Sequence, residues 1–149
     1  MTFALFLYSQ GFSLCTRNLK DNKTRAIKDK TQRGLSGMEI SELKFDPRTS
    51  LIPVVTQDWL TKEVLMVAYA NEEALRRTIE TGYAHYWSRS RRRLWRKGET
   101  SGNTQTMKDI LVDCDHDTIL FLVEQKGPAC HTGKRTCFHN KLSGCIPKV

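Results

Sequence analysis

Several features are missing from this chain of 149 residues. No apolar run approaches the length needed to cross a bilayer; the longest near the N-terminus, Phe3 to Tyr8, is far too short. There is no internal repeat. There is no C-x-x-C pair, which excludes an ordinary zinc ribbon or finger. There is no clear export signal, because the basic residues follow the N-terminal apolar stretch instead of preceding it. With five cysteines, an odd number at uneven spacing, metal or catalytic thiols in a reducing compartment are favoured over a disulfide framework. A cytoplasmic protein that does not bind membranes is expected. The formal charge of +8 suggests a nucleic-acid binder, but it is unevenly spread. Residues 1–37 hold seven Lys/Arg against two Asp/Glu, whereas residues 38–149 hold seventeen against fourteen. Most of the excess charge is therefore in the first quarter of the chain.

That quarter also lacks helical or strand periodicity. Residues 1–37 are expected to be an extension, disordered or outside the native domain, and 38–149 a single domain opening at Met38. Beyond it the patterns are clear. Leu51–Val55 and Glu63–Ala70, separated by Asp58–Lys62, read as a hairpin. Asn71 is an N-cap, with Glu72 and Glu73 in the first turn. Ala74, Leu75, Thr78 and Ile79 form the inner face of that helix, and Gly82 ends it. Tyr83–Ser90 reads as a strand followed by a basic turn. Thr104–Val112 and Thr118–Gln125 are two further strands, Gly127-Pro128 breaks the last, and a short strand is expected near Phe138. The fold class is α+β and rich in strands.

The stretch Ile110 to Asn140 gathers three of the five cysteines, three of the four histidines and three aspartates. Asp113, Asp115 and Asp117 mimic the start of a calcium loop, with Glu124 at the twelfth position. However, Thr118 replaces the required glycine, and Ile119–Val123 must be buried as a strand. A tight acidic turn results, either solvated or held by a cation. Cys114, Cys130 and Cys137 are able to bind zinc and leave its fourth position open, as catalytic sites do. Cys145 as a fourth ligand would close the site, and simple burial of the thiols is the competing reading. His131, next to Cys130, suits a general base. His85 reads as structural. In the segment from His85 to Gly102, arginines alternate with Trp87 and Trp95, a pattern suited to a stacked base and phosphates. Arg89 and Lys97 are expected to touch ligand; Arg92 and Arg93 are expected to be solvated.

W-S-R-S-R, L-W-R-K-G-E-T-S-G-N-T-Q, D-C-D-x-D and G-P-A-C-H-T-G-K-R-T-C-F together resemble the phosphoribosyl-AMP cyclohydrolases of histidine biosynthesis. The similarity runs in order from about Leu51 to Asn140. It implies a β-grasp-like homodimer that opens the adenine ring of phosphoribosyl-AMP between N1 and C6. It further implies zinc on Cys114, Cys130 and Cys137 drawn from both subunits, magnesium on Asp113, Asp115 and Asp117, and His131 as the proton-transfer residue. The nucleotide substrate is expected to meet Trp87, Arg89, Ser90, Arg91, Lys97, Glu99 and Ser101. Two departures from the family pattern are visible: His116 stands where a small residue such as glycine is common, and Arg92-Arg93 is more basic than usual. Nine residues follow Asn140, so no fused pyrophosphohydrolase domain is expected. The contrasting hypothesis is a small zinc-stabilised nucleic-acid-binding protein.

Overall fold

Alternating burial along two strands organises the described part of the chain. In the computed structural model, which describes residues 37–143, strand β1 (Ile52–Asp58) buries every second residue, Ile52, Val54, Thr56 and Asp58. Strand β6 (Ile119–Gln125) buries Ile119, Phe121 and Val123 in the same way. This period of two places one face of each strand on the core. The two strands pair in parallel, Val54 opposite Ile119 and Asp58 opposite Val123. Strand β2 (Val64–Ala70) pairs antiparallel with β1, and β5 (Gln105–Val112) pairs antiparallel with β6. The sheet order is β2-β1-β6-β5.

Helix α1 (Glu72–Thr81) follows β2 directly. Its start is fixed by Asn71, whose Oδ1 accepts the Ala74 N–H at 2.9 Å. Its end is fixed by Gly82 in the left-handed region at φ 70°. Ala74, Leu75 and Thr78 are buried as expected. Ile79 is 62% exposed, which corrects its assignment to the inner face. One 100° step beyond Thr78 carries it off the core side.

The basic segment is not strand-then-turn alone. Strands β3 (His85–Ser88) and β4 (Arg93–Arg96) form a separate antiparallel hairpin. Tyr86 and Trp95 pair across it with ring centroids 5.0 Å apart. Tyr86 also packs on Phe121 of the main sheet at 5.8 Å. A buried polar chain joins hairpin and sheet. The Tyr86 hydroxyl donates to Gln105 Oε1 at 2.7 Å and lies 2.8 Å from Thr56 Oγ1. Gln105 Nε2 donates in turn to Gln125 Oε1 at 2.8 Å. Every member is hydrogen-bonded, as burial demands.

The fold is thus α+β, strand-rich, with one α-helix among the described residues. No strand forms near Phe138, which is 59% exposed. No helix among the described residues is long and apolar enough to cross a membrane. Residues 1–36 of the expected extension, and Cys145, lie outside the described residues.

Candidate active site

The loop after β6 brings two thiols together. Ala129 N–H bonds Arg135 O at 3.1 Å, and Cys130 N–H bonds Lys134 O at 3.0 Å. Gly133, at φ 80°, donates back to Cys130 O and completes the reversal. The loop then docks on β2. A bulge between Thr56 and Gln57 interrupts the β1–β2 ladder opposite Leu65. Leu65 O accepts the Cys137 N–H at 2.8 Å, and Val64 O accepts the Thr136 hydroxyl at 2.7 Å. Bulges commonly re-aim a strand beside a site in this manner. Arg135 adds an anchor, with its guanidinium 2.8 Å from Asp58 Oδ2 and 2.9 Å from Glu63 Oε2.

Cys130 is buried and Cys137 is exposed. The Thr132 hydroxyl, 3.1 Å from Cys130 Sγ, is the first cause holding the Cys130 thiol below its ordinary range. The Thr132 backbone N–H, Cys137 and Lys97 act in the same direction, against burial. Burial and the neighbouring Cys130 push Cys137 upward. Two adjacent sulfurs thus divide into an easily ionised and a reluctant thiol. His131 Nδ1 lies 4.0 Å from Cys130 Sγ, and its side chain is exposed. Within this loop the structure brings Cys130, His131 and Cys137 together.

Cys114 is elsewhere. It sits on the β5–β6 turn, before β6, whereas the thiol loop follows it. Asp113 Oδ1 accepts the N–H groups of Asp117 at 3.0 Å and Thr118 at 3.1 Å. Burial tends to raise the Asp113 pKa, but the Thr118 and Asp117 N–H groups, together with the Asp117 side chain and the His116 N–H, outweigh it and hold the carboxyl below its ordinary range. His116 occupies the left-handed region at φ 63°, which explains why a small residue suits this position. Its carbonyl accepts the Lys44 N–H at 2.7 Å, pinning the turn to the N-terminal segment. Asp113, Cys114, Asp115 and Asp117 are all exposed. Among the described residues no three His, Cys, Asp or Glu side chains are grouped to hold a metal ion. Two adjacent thiols are nevertheless donors of the type that zinc takes.

The expected substrate contacts divide among three places. Trp87, Arg89, Ser90 and Arg91 line a pocket of about 410 Å³ against Val67, Ala68 and Tyr69 of β2. The Arg89 guanidinium stacks on the Tyr69 ring, 4.0 Å from its centroid. Arg93 also lines this pocket, although its sequence context suggests a solvated turn. Lys97 lies at the thiol loop, with its Nζ 2.7 Å from Ala129 O. Glu99 and Ser101 occupy an exposed loop closed by Gly102 N–H to Gly98 O. That loop packs tightly onto the start of the thiol loop, since a Cβ on Gly127 would collide with the Asn103 side chain. His85 is buried, and its Nδ1 bonds Tyr83 O, in keeping with a structural role. Sequence reasoning missed Tyr69, Thr132 and Arg135. For Thr132 the adjacency C-H-T was a usable signal; Tyr69 and Arg135 act across the fold and gave none.

The model of the phosphoribosyl-AMP cyclohydrolase family matches residues 66–139. A phosphoribosyl-AMP cyclohydrolase of Archaeoglobus fulgidus is 64% identical over 103 residues, covering 69% of this chain and 94% of that protein. One from Methanothrix thermoacetophila is 65% identical over 100 residues, 67% of this chain and 83% of that protein. A histidine biosynthesis bifunctional protein of Caldanaerobacter subterraneus is 57% identical over 105 residues, 70% of this chain but 51% of its own length.

Proposed function

The chain belongs to the phosphoribosyl-AMP cyclohydrolase family, and on that premise we propose how its residues open the substrate's ring. The activity is hydrolysis of phosphoribosyl-AMP in histidine biosynthesis. One water is added across N1–C6 of the adenine: its oxygen bonds to C6, the C6–N1 bond breaks, and N1 takes up a proton. N1 already carries a ribosyl group, so the ring is cationic and C6 electrophilic.

Cys130 and Cys137 of one protomer, with Cys114 of a second, hold zinc. The observation carrying this reading is the pairing of Cys130 and Cys137 beside His131, with Cys114 at the other end of β6. A homodimer supplies the missing thiolate and completes the site. When bound, zinc supplies Lewis acidity and makes water a better nucleophile near neutral pH. His131 is exposed beside the thiols and moves the proton from the attacking water to N1 through its imidazole. Arg89 and Arg91, with Trp87, bind one phosphoribosyl arm in the pocket along β2. Asp113, Asp115 and Asp117 would hold magnesium, which would supply positive charge for the substrate's phosphates.

The test mixes two inactive variants, Cys114→Ser and Cys137→Ser, unfolded together, refolded with zinc and magnesium, and assayed by the ultraviolet change on ring opening. Random pairing makes half the dimers mixed, each with one intact site of two, so activity returns to about one quarter of wild type. Zinc content recovers in parallel. No recovery would mean that all three thiols act within one chain, or that the pair is not catalytic.

A further inference from the structure

Lys97 is expected from its basic, aromatic context to touch ligand, but its position points elsewhere. It follows β4 directly, and its backbone N–H bonds Ala84 O at 3.0 Å. Its side chain is half-buried and does not line the arginine pocket. Nζ instead donates to Ala129 O at 2.7 Å, across 32 residues of sequence. Ala129 is buried and immediately precedes Cys130. Burial holds the Lys97 pKa below its ordinary range, and the nearby Cys137 and Cys130 sulfurs oppose that shift. Releasing it to a phosphate would strip a buried carbonyl of this donor, a loss that water replaces poorly there.

We propose that Lys97 is a positioning residue of the thiol site, its Nζ locking the Ala129 carbonyl and its charge offsetting that of the sulfurs. The inference rests on the reading of Cys130 and Cys137 as zinc ligands. Three thiolates on a divalent ion leave a net negative centre, and a fixed cation in the next layer compensates it. The hydrogen bond sets the geometry, because Ala129 and Cys130 share a peptide unit. Hairpin and thiol loop are thereby coupled: a shift of β4 would move the sulfurs. Phosphate binding falls to Arg89 and Arg91, which face the open pocket.

The test uses the full chain, with Lys97→Gln and Lys97→Arg. Zinc affinity is measured without substrate, by competition with a chromophoric chelator, and kcat and KM are measured separately at saturating zinc. Lys97→Gln is expected to weaken zinc binding about 10–100-fold, the usual cost of losing a partner of a ligand. KM should stay within about twofold. Lys97→Arg should recover most of the zinc affinity. Unchanged zinc affinity with a raised KM in Lys97→Gln would make Lys97 a phosphate contact and overturn the inference. A wild-type chain that takes up no zinc would instead refute the thiol reading itself, and the inference with it. Amine labelling of the wild-type chain, read by mass spectrometry, decides without any variant. Lys97 should be protected before substrate is added; protection that appears only with substrate would refute the role.

Discussion

Tyr86→Phe removes one oxygen from the most tightly connected part of the core. Tyr86, Thr56 and Gln105 are all fully buried. Burial pushes the Tyr86 phenol well above its ordinary range, so it serves as a neutral hydroxyl. It satisfies two partners, Gln105 Oε1 and Thr56 Oγ1. Phenylalanine keeps the packing on Trp95 and Phe121 and leaves both polar partners without this contact. Each orphaned group costs about 1–3 kcal/mol, so a total of about 2–4 kcal/mol is expected after partial relaxation. In a domain of this size that lowers Tm by roughly 10–20 °C. The control is Tyr83→Phe, because Tyr83 is 36% exposed. Surface changes of that kind stay within about 0.5 kcal/mol. Thermal unfolding followed by far-ultraviolet circular dichroism reads both variants. A Tyr86→Phe transition within about 2 °C of wild type would refute the reasoning, for the network would then carry none of the stability that unsatisfied groups demand.

Two further outcomes follow from the site. Arg89→Gln combined with Arg91→Gln should raise KM about 10–100-fold with little change in kcat, because on the proposed reading these arginines hold a phosphate in the pocket they line; steady-state ultraviolet kinetics measures the split. Burial tends to raise the Asp58 pKa, but the Thr61 and Leu60 N–H groups, the Thr61 hydroxyl and Arg135 outweigh it and hold the carboxyl below its ordinary 3.8. A depressed pKa contributes stability above the unfolded value and loses it as pH falls through the folded value. The Tm advantage of wild type over Asp58→Asn should therefore be full above about pH 5 and vanish as pH drops below the folded pKa; a gap that stays constant down to pH 2 would sink this.

Local patterning made most of the sheet legible. Strands β1 and β6 announce themselves as short apolar runs, Leu51–Val55 and Ile119–Val123, and α1 by Asn71 and Gly82. Strand β4 was hidden because R-L-W-R looks like a charged turn. It forms through its ladder with β3 and the stacking of Trp95 on Tyr86, both tertiary effects. The strand expected near Phe138 fails for a related reason. That segment meets β2 through Thr136 and Cys137 only, a point contact and not a ladder. At the site, the closeness of Cys130, His131 and Cys137 was readable because eight residues of loop contain all three. The position of Lys97 was not readable, since the contact that defines it spans 32 residues.

The thiol loop is held by contacts that need no metal. Backbone bonds close it, Leu65 O and Val64 O dock it, and Arg135 ties it to Asp58 and Glu63. The acidic turn is likewise fixed by its own hydrogen bonds to Asp113. In the proposed dimer each half would therefore be shaped before the two meet, with little chain ordering left to oppose assembly. A small zinc domain that folds only on its metal works the opposite way, since there the metal's binding energy is the folding energy. Here Ile52, Val54, Tyr86 and Phe121 supply a core that does not depend on the ion. On the reading proposed above, the binding energy of zinc would then be free to join two preformed surfaces, Cys130 with Cys137 on one protomer and Cys114 on another. Because the turn and the thiol loop lie at opposite ends of β6 in every copy, a two-fold pairing that completes one site completes its mate as well.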